Sequence, residues 1–194
     1  RRVAPRGGRN QQHVESLAFF GESHRGEGDR FLHRLDDEHP AGRDLGLKPI
    51  GNRALDSLRI EKSYGIWSAE FTPDETADST GLGRHVDLTK SAFVGREAVL
   101  AQGPATRRLV TFAVDSTDAD AAPFTAVRKA GRVVGHVTSG VYGYSVGKSL
   151  AMAMVATEAL ADPQGLTVDV IGSPVPARLL SEPAYDPKGL RLRG

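Results

Sequence analysis

GRVVGHVTSGVYGYSVGKSL, residues 131–150, contains two fragments that look like catalytic motifs. Gly147-Lys148-Ser149 resembles the end of a phosphate-binding loop, and Gly143-Tyr144-Ser145-Val146-Gly147 has the G-x-S-x-G spacing of a serine-hydrolase elbow. A phosphate loop also needs a glycine at the position taken here by Tyr142, where backbone amides must curl around the phosphates. Gly140 and Gly143 are out of register for that role. In the hydrolase fold the catalytic histidine follows the serine in the chain, but the last histidine here is His136. Both motifs therefore fail. The remaining pattern is strand, glycine-rich turn, strand, in which Gly140, Gly143 and Gly147 serve a turn and a close backbone approach, with Tyr142 and Tyr144 on one side of it.

The texture of the surrounding sequence extends this reading. RRLVTFAVD, TAVRKAGRVVGHVTSG, SLAMAMV, LTVDVIG and PVPARLLSE are short strand-like segments. Ala130-Gly131 and Gly172-Ser173 mark two hairpins. Strands at this spacing predict an antiparallel barrel or sandwich. Upstream the texture is different. RFLHRLDDE, 30–38, has helical spacing before Pro40, and PIGNRALDSLRIEKSYGIW predicts a helix of about three turns. That helix has Ile50, Ala54, Leu55 and Leu58 on an apolar stripe and Arg53, Asp56, Arg59 and Lys62 on a polar side. FTPDETADSTGLG, 71–83, reads as a turn-rich connection, RHVDL as a strand, and FVGREAVLAQG, 93–103, as a short helix stopped by Gly103-Pro104. A domain boundary is placed there.

Composition narrows the function classes. Twenty-five Lys and Arg oppose 24 Asp and Glu, a formal charge of +1, so no global field favours nucleic acid or an acidic membrane. Without cysteine there is no disulfide, thiolate metal site or cysteine nucleophile, which fits a reducing compartment. The longest apolar candidate, SLAMAMVATEALA at 149–161, is shorter than the ~20 residues of a membrane span and carries Glu158. Residues 1–28 are rich in Gly, Arg and His without sustained periodicity, and 1–40 as a whole read as a poorly defined basic lead-in.

No other motif carries chemistry. The six histidines show no metal-ligand spacing, and His136 reads as a strand residue at the surface. DSTDAD lacks the alternate-residue ligands and central glycine of a calcium loop. GLGRHV precedes a strand instead of following one and lacks the third glycine of a dinucleotide fingerprint. Read from its residues alone, the chain is a two-part α+β protein.

Five motifs in order carry a resemblance: RALDSLRIEKSYGIW, GLGRHVDL, SAFVGREAVL, GHVTSGVYGYSVGKSLAMAMV and SEPAYDPKGLRLRG. Together they resemble the folate-dependent aminomethyltransferase (glycine cleavage T-protein) superfamily, most of all the C-terminal part of dimethylglycine and sarcosine dehydrogenases and oxidases. The resemblance runs over residues 41–194. It implies an α+β fold in which residues 41–103 end a folate-binding domain and residues 105–194 form a C-terminal antiparallel β-barrel.

The implied activity is transfer of a one-carbon unit from an N-methylated amino acid to tetrahydrofolate, with FAD on a missing domain or a flavoprotein partner. The alternative is a non-catalytic binding or scaffold module of the same fold that associates with a flavoprotein. Carried over residue by residue, the resemblance places the pterin-binding glutamate at Glu22 in GESH, and folate contacts at Arg84, Tyr185 and Arg191. The family's catalytic aspartate and a flavin-binding glycine motif have no counterpart here, so no catalytic residue is assigned. The usual glutamate before GLG is replaced in the Ser79-Thr80 pair. Arg59 and Glu61 of LRIEK read as a structural pair joining the helix to its neighbours. The implied partners are folate and the amine substrate, with no metal, nucleic acid or membrane, and the implied location is the cytoplasm.

Overall fold

In the computed structural model the described residues are 42, 44–48 and 50–194. Glu22 and the expected helix over 30–38 lie outside them. Asn52–Gly194 form one compact unit. Its elements are helix α1 (Asn52–Glu61), a 3-10 turn (Leu82–His85), α2 (Arg96–Ala101), strands β1 (Arg107–Val114), β2 (Ala126–Lys129), β3 (Arg132–Gly143) and β4 (Lys148–Ala156), helix α3 (Thr157–Leu160), strands β5 (Leu166–Val170) and β6 (Ser173–Leu179), and helix α4 (Leu190–Arg193).

The six strands close into a barrel in the order β1-β4-β3-β2-β5-β6, every pairing antiparallel. The opening stretch is the β3–β4 hairpin. Its turn depends on Gly147 at φ 65°, and Gly140 packs where a Cβ would collide with the Ala121 carbonyl oxygen. Tyr142 and Tyr144 meet edge to face at 5.1 Å.

Strand parity explains why β4 is apolar from Leu150 to Ala156. Ala151, Ala153 and Val155 point into the barrel with Phe112, Val127, Val137 and Val168. Leu150 and Met152 point outward and pack with Ile60 of α1 and Val141. A strand covered on both faces has no reason to alternate. A β-bulge between Val137 and Ser139 lets Val137 face the barrel while Val141, an even number of residues on, faces α1.

Three sequence expectations are corrected. RHVDL is no strand: Leu82–His85 make a 3-10 turn after Gly81 enters a left-handed conformation. The β5–β6 turn is Ile171-Gly172 rather than Gly172-Ser173, with both residues at positive φ, 46° and 75°. Most informatively, α1 presents the opposite face to the barrel. Leu55 and Leu58 are half exposed, and the buried residues are Ser57, Arg59, Ile60 and Glu61. The polar side chains reach the interior because each finds hydrogen-bond partners there, which removes most of the desolvation cost. No helix among the described residues is long and apolar enough to cross a membrane.

Candidate functional site

At the foot of α1 lies a buried polar network. Glu70 is fully buried. Its Oε2 accepts from Arg59 Nη1 at 3.2 Å and from the Ile66 amide at 3.0 Å, and its Oε1 accepts from Thr138 Oγ1 at 2.8 Å and Ser139 Oγ at 2.6 Å. The β3 bulge makes this double contact feasible, since neighbouring residues of a regular strand point to opposite faces. Arg59 also donates to Asp56 Oδ1 at 2.8 Å and Ser139 Oγ at 2.8 Å. Arg59 and Glu61 do join helix to barrel, though they are not each other's partners. The Glu61 carboxylate takes the Ser145 amide at 2.7 Å on one oxygen, and its second oxygen is buried without a partner. Ser57 Oγ donates to the Tyr142 carbonyl at 3.0 Å. These groups are spent on holding α1 against the β3–β4 hairpin.

The C-terminal segment crosses the end of the same helix. The Tyr185 amide donates to the Glu61 carbonyl at 2.9 Å, and Lys62 Nζ donates to the Asp186 carbonyl at 2.6 Å. Asp186 then organises the last turn: its Oδ1 accepts from the Leu190 amide at 2.8 Å. Burial opposes the charge on this carboxyl, but the amides of Leu190 and Arg191 and the Lys62 ammonium outweigh it and hold Asp186 below the usual carboxylate range. On the turn so formed, Arg191 Nη1 donates to the Tyr185 hydroxyl at 2.9 Å, and its guanidinium lies 5.6 Å from the ring centroid. The result is a half-buried aromatic ring under an exposed planar cation, an arrangement suited to flat rings and to carboxylates.

Of the residues expected at the site, Tyr185 and Arg191 are thus brought together. Arg84 is exposed on the 3-10 turn, where its guanidinium donates to the Gly81 carbonyl at 3.3 Å and to His85 Nε2 at 3.1 Å, within its own turn. Ser79 is buried and shares a network with Glu75 and Thr76: its hydroxyl donates to Glu75 Oε2 at 2.9 Å and accepts the Thr76 amide at 3.0 Å. Sequence reasoning passed over Asp186 and the inward role of Lys62, although the Asp-Pro-x-Gly pattern over 186–189 signals a turn with an acceptor at its first position. Among the described residues no group of His, Asp and Glu could hold a metal ion.

Comparison with known proteins identifies the family of the chain. Residues 107–186 match the glycine cleavage T-protein C-terminal barrel domain, and residues 30–90 match the GCVT N-terminal domain, which together take in more than half of the chain. The mitochondrial dimethylglycine dehydrogenase of Mus musculus is 35% identical over 156 residues, covering 79% of this chain and 18% of that protein. The 4-methylaminobutanoate oxidase (formaldehyde-forming) of Paenarthrobacter nicotinovorans is 37% identical over 170 residues, covering 86% of this chain and 20% of that one. The aminomethyltransferase of Moorella thermoacetica is 35% identical over 146 residues, 75% of this chain and 40% of its own length. This chain therefore spans less than half of each of these relatives. The crystal structure of the glycine cleavage system aminomethyltransferase T from Bartonella henselae superposes with a TM-score of 0.68 at 25% identity, over 77% of this chain and 44% of that one. With the barrel, the helix packed on its wall and both domain matches in agreement, the chain belongs to the glycine cleavage T-protein (aminomethyltransferase) superfamily.

Proposed function

We propose that the chain is the tetrahydrofolate-side portion of an enzyme that moves a one-carbon unit from an N-methylated amino acid to tetrahydrofolate. The observation that carries this reading is the Tyr185–Arg191 pair, an aromatic face and a guanidinium held together beside α1. A folate presents flat fused rings, which stack on such a face, and carboxylates, which a guanidinium binds through paired hydrogen bonds. The residue types present fit the ligand. In this reading Arg84 adds a second exposed cation, and Glu22 accepts the paired N–H donors of the pterin edge.

When bound, tetrahydrofolate supplies the nucleophilic nitrogen that takes up the one-carbon unit. The work of this chain is to bind and orient it, and orientation alone removes a large share of the entropic barrier to a reaction between two bound species. Relatives named for dimethylglycine and 4-methylaminobutanoate, both N-methyl amines, support the substrate class. Oxidation of the amine, with FAD, is assigned to a domain or partner flavoprotein, and the cysteine-free composition suits the cytoplasm, the compartment this reading assigns.

The second reading is a non-catalytic module that associates with a flavoprotein, favoured by the number of large apolar side chains left at the surface, among them Leu55, Leu58, Trp67 and Val94. Isothermal titration of the full chain with tetrahydrofolate separates the two. The expected result is a saturable heat that Arg191→Ala weakens by about tenfold. Absence of heat at millimolar ligand removes the folate site and leaves the binding module.

A further inference from the structure

The Tyr185–Arg191 pair is not held by its own contact alone. Arg191 lies on α4, a helix of one turn (Leu190–Arg193), too short to be stable by itself. Its geometry is imposed from outside. Asp186 stands in a left-handed conformation at φ 42°, and its carbonyl takes the Gly189 amide at 2.9 Å. Its carboxylate takes the Leu190 amide at 2.8 Å. The same residue is gripped by Lys62, whose ammonium reaches the Asp186 carbonyl at 2.6 Å and Oδ2 at 3.4 Å. Lys62 follows directly on α1 (Asn52–Glu61), and α1 is locked to the barrel by Ser57, Arg59 and Glu61. A continuous path of bonds thus runs from barrel to helix, from helix to Asp186, and from Asp186 to the backbone that carries Arg191.

Two further observations single out this ion pair. The Lys62 and Asp186 side chains are only 18% and 11% exposed, unlike the surface pair Arg108–Asp78 at 46% and 51%, so water competes weakly for them. Other charges nearby have other partners. Glu61 turns its carboxylate to the Ser145 amide, and Arg193 bonds to the Lys188 and Gly189 carbonyls within its own turn.

We propose that Lys62 and Asp186 are positioning residues: their ion pair latches the segment Tyr185–Arg193 to the end of α1 and thereby sets how Arg191 lies over Tyr185. The proposal rests on the reading of Tyr185 and Arg191 as ligand-facing, and its two halves are tested apart. Lys188 and Arg191 are trypsin sites inside the latched segment, so cleavage after them reports its local opening without any ligand. Asp186→Asn removes the charge while keeping a residue that tolerates the left-handed backbone. Lys62→Met removes the ammonium and keeps the stem.

In the full chain each variant is expected to speed cleavage after Lys188 and Arg191 by about tenfold and to weaken tetrahydrofolate binding by a similar factor, with the thermal midpoint of the barrel unchanged. Lys62→Arg restores both. Unchanged cleavage in both variants overturns the latch. Faster cleavage with wild-type folate affinity overturns the positioning role. A wild-type chain that binds no tetrahydrofolate, with variants that are still cleaved faster, discards the folate reading and upholds the latch.

Discussion

Arg59 shows how a charged residue becomes part of an interior. Its guanidinium meets Asp56, Glu70 and Ser139, and Glu70 has no exposure to water through which to recover if the arginine is lost. Removing one member of a buried pair leaves the other uncompensated, which costs more than the pair itself contributes. Arg59→Met is therefore expected to lose about 3–5 kcal/mol in urea denaturation, and an unchanged midpoint would contradict the network described. The sequence made Arg59 and Glu61 visible as anchors of LRIEK but left their partners hidden. Glu70 lies in a stretch without periodicity, and the hydroxyls it uses lie far along the chain, at Thr138 and Ser139. Tyr185 and Arg191 were legible as residue types. The ion pair that fixes them joins positions 62 and 186, a separation that no local pattern reports.

At the level of elements, strands were the legible part and faces were not. All six strands fall within the segments that read as strand-like, although β2, AVRK, is half basic, β6 carries two prolines, and RHVDL reads as a strand where a 3-10 turn forms. The α1 stripe misled because periodicity reports which residues share a face, and hydrogen bonding then decided which face went inward. The hairpin turns show a different balance. Ala130-Gly131 and Ile171-Gly172 both take positive φ at both positions, as two-residue turns matching the strand twist require. For Ile171 this is a poor conformation: a β-branched side chain is strained there, and this one is 83% exposed, so no burial offsets the strain. Ile171→Asn is expected to raise stability by about 1 kcal/mol, read as an upward shift in thermal midpoint. A fall in midpoint would show that the isoleucine makes a contact the exposed turn does not reveal.

At the scale of the whole molecule, α1, the strap of residues 62–81 that follows it and the barrel belong to one compact unit. Trp67, the single tryptophan, sits in the strap that follows α1, whereas far-ultraviolet dichroism is dominated by the strands. On urea unfolding the two signals are expected to share one midpoint, as in a two-state transition. Separate midpoints would mean that α1 and its strap melt away from a surviving barrel. The ring order places β1 between β4 and β6, so the first strand made is paired with the last. During synthesis from the N-terminus the cylinder stays an open sheet until Leu179 emerges, and every shorter nascent chain exposes two unpaired strand edges. Ribosomal stalling or truncation within the last strand would thus release an open five-strand sheet with two sticky edges.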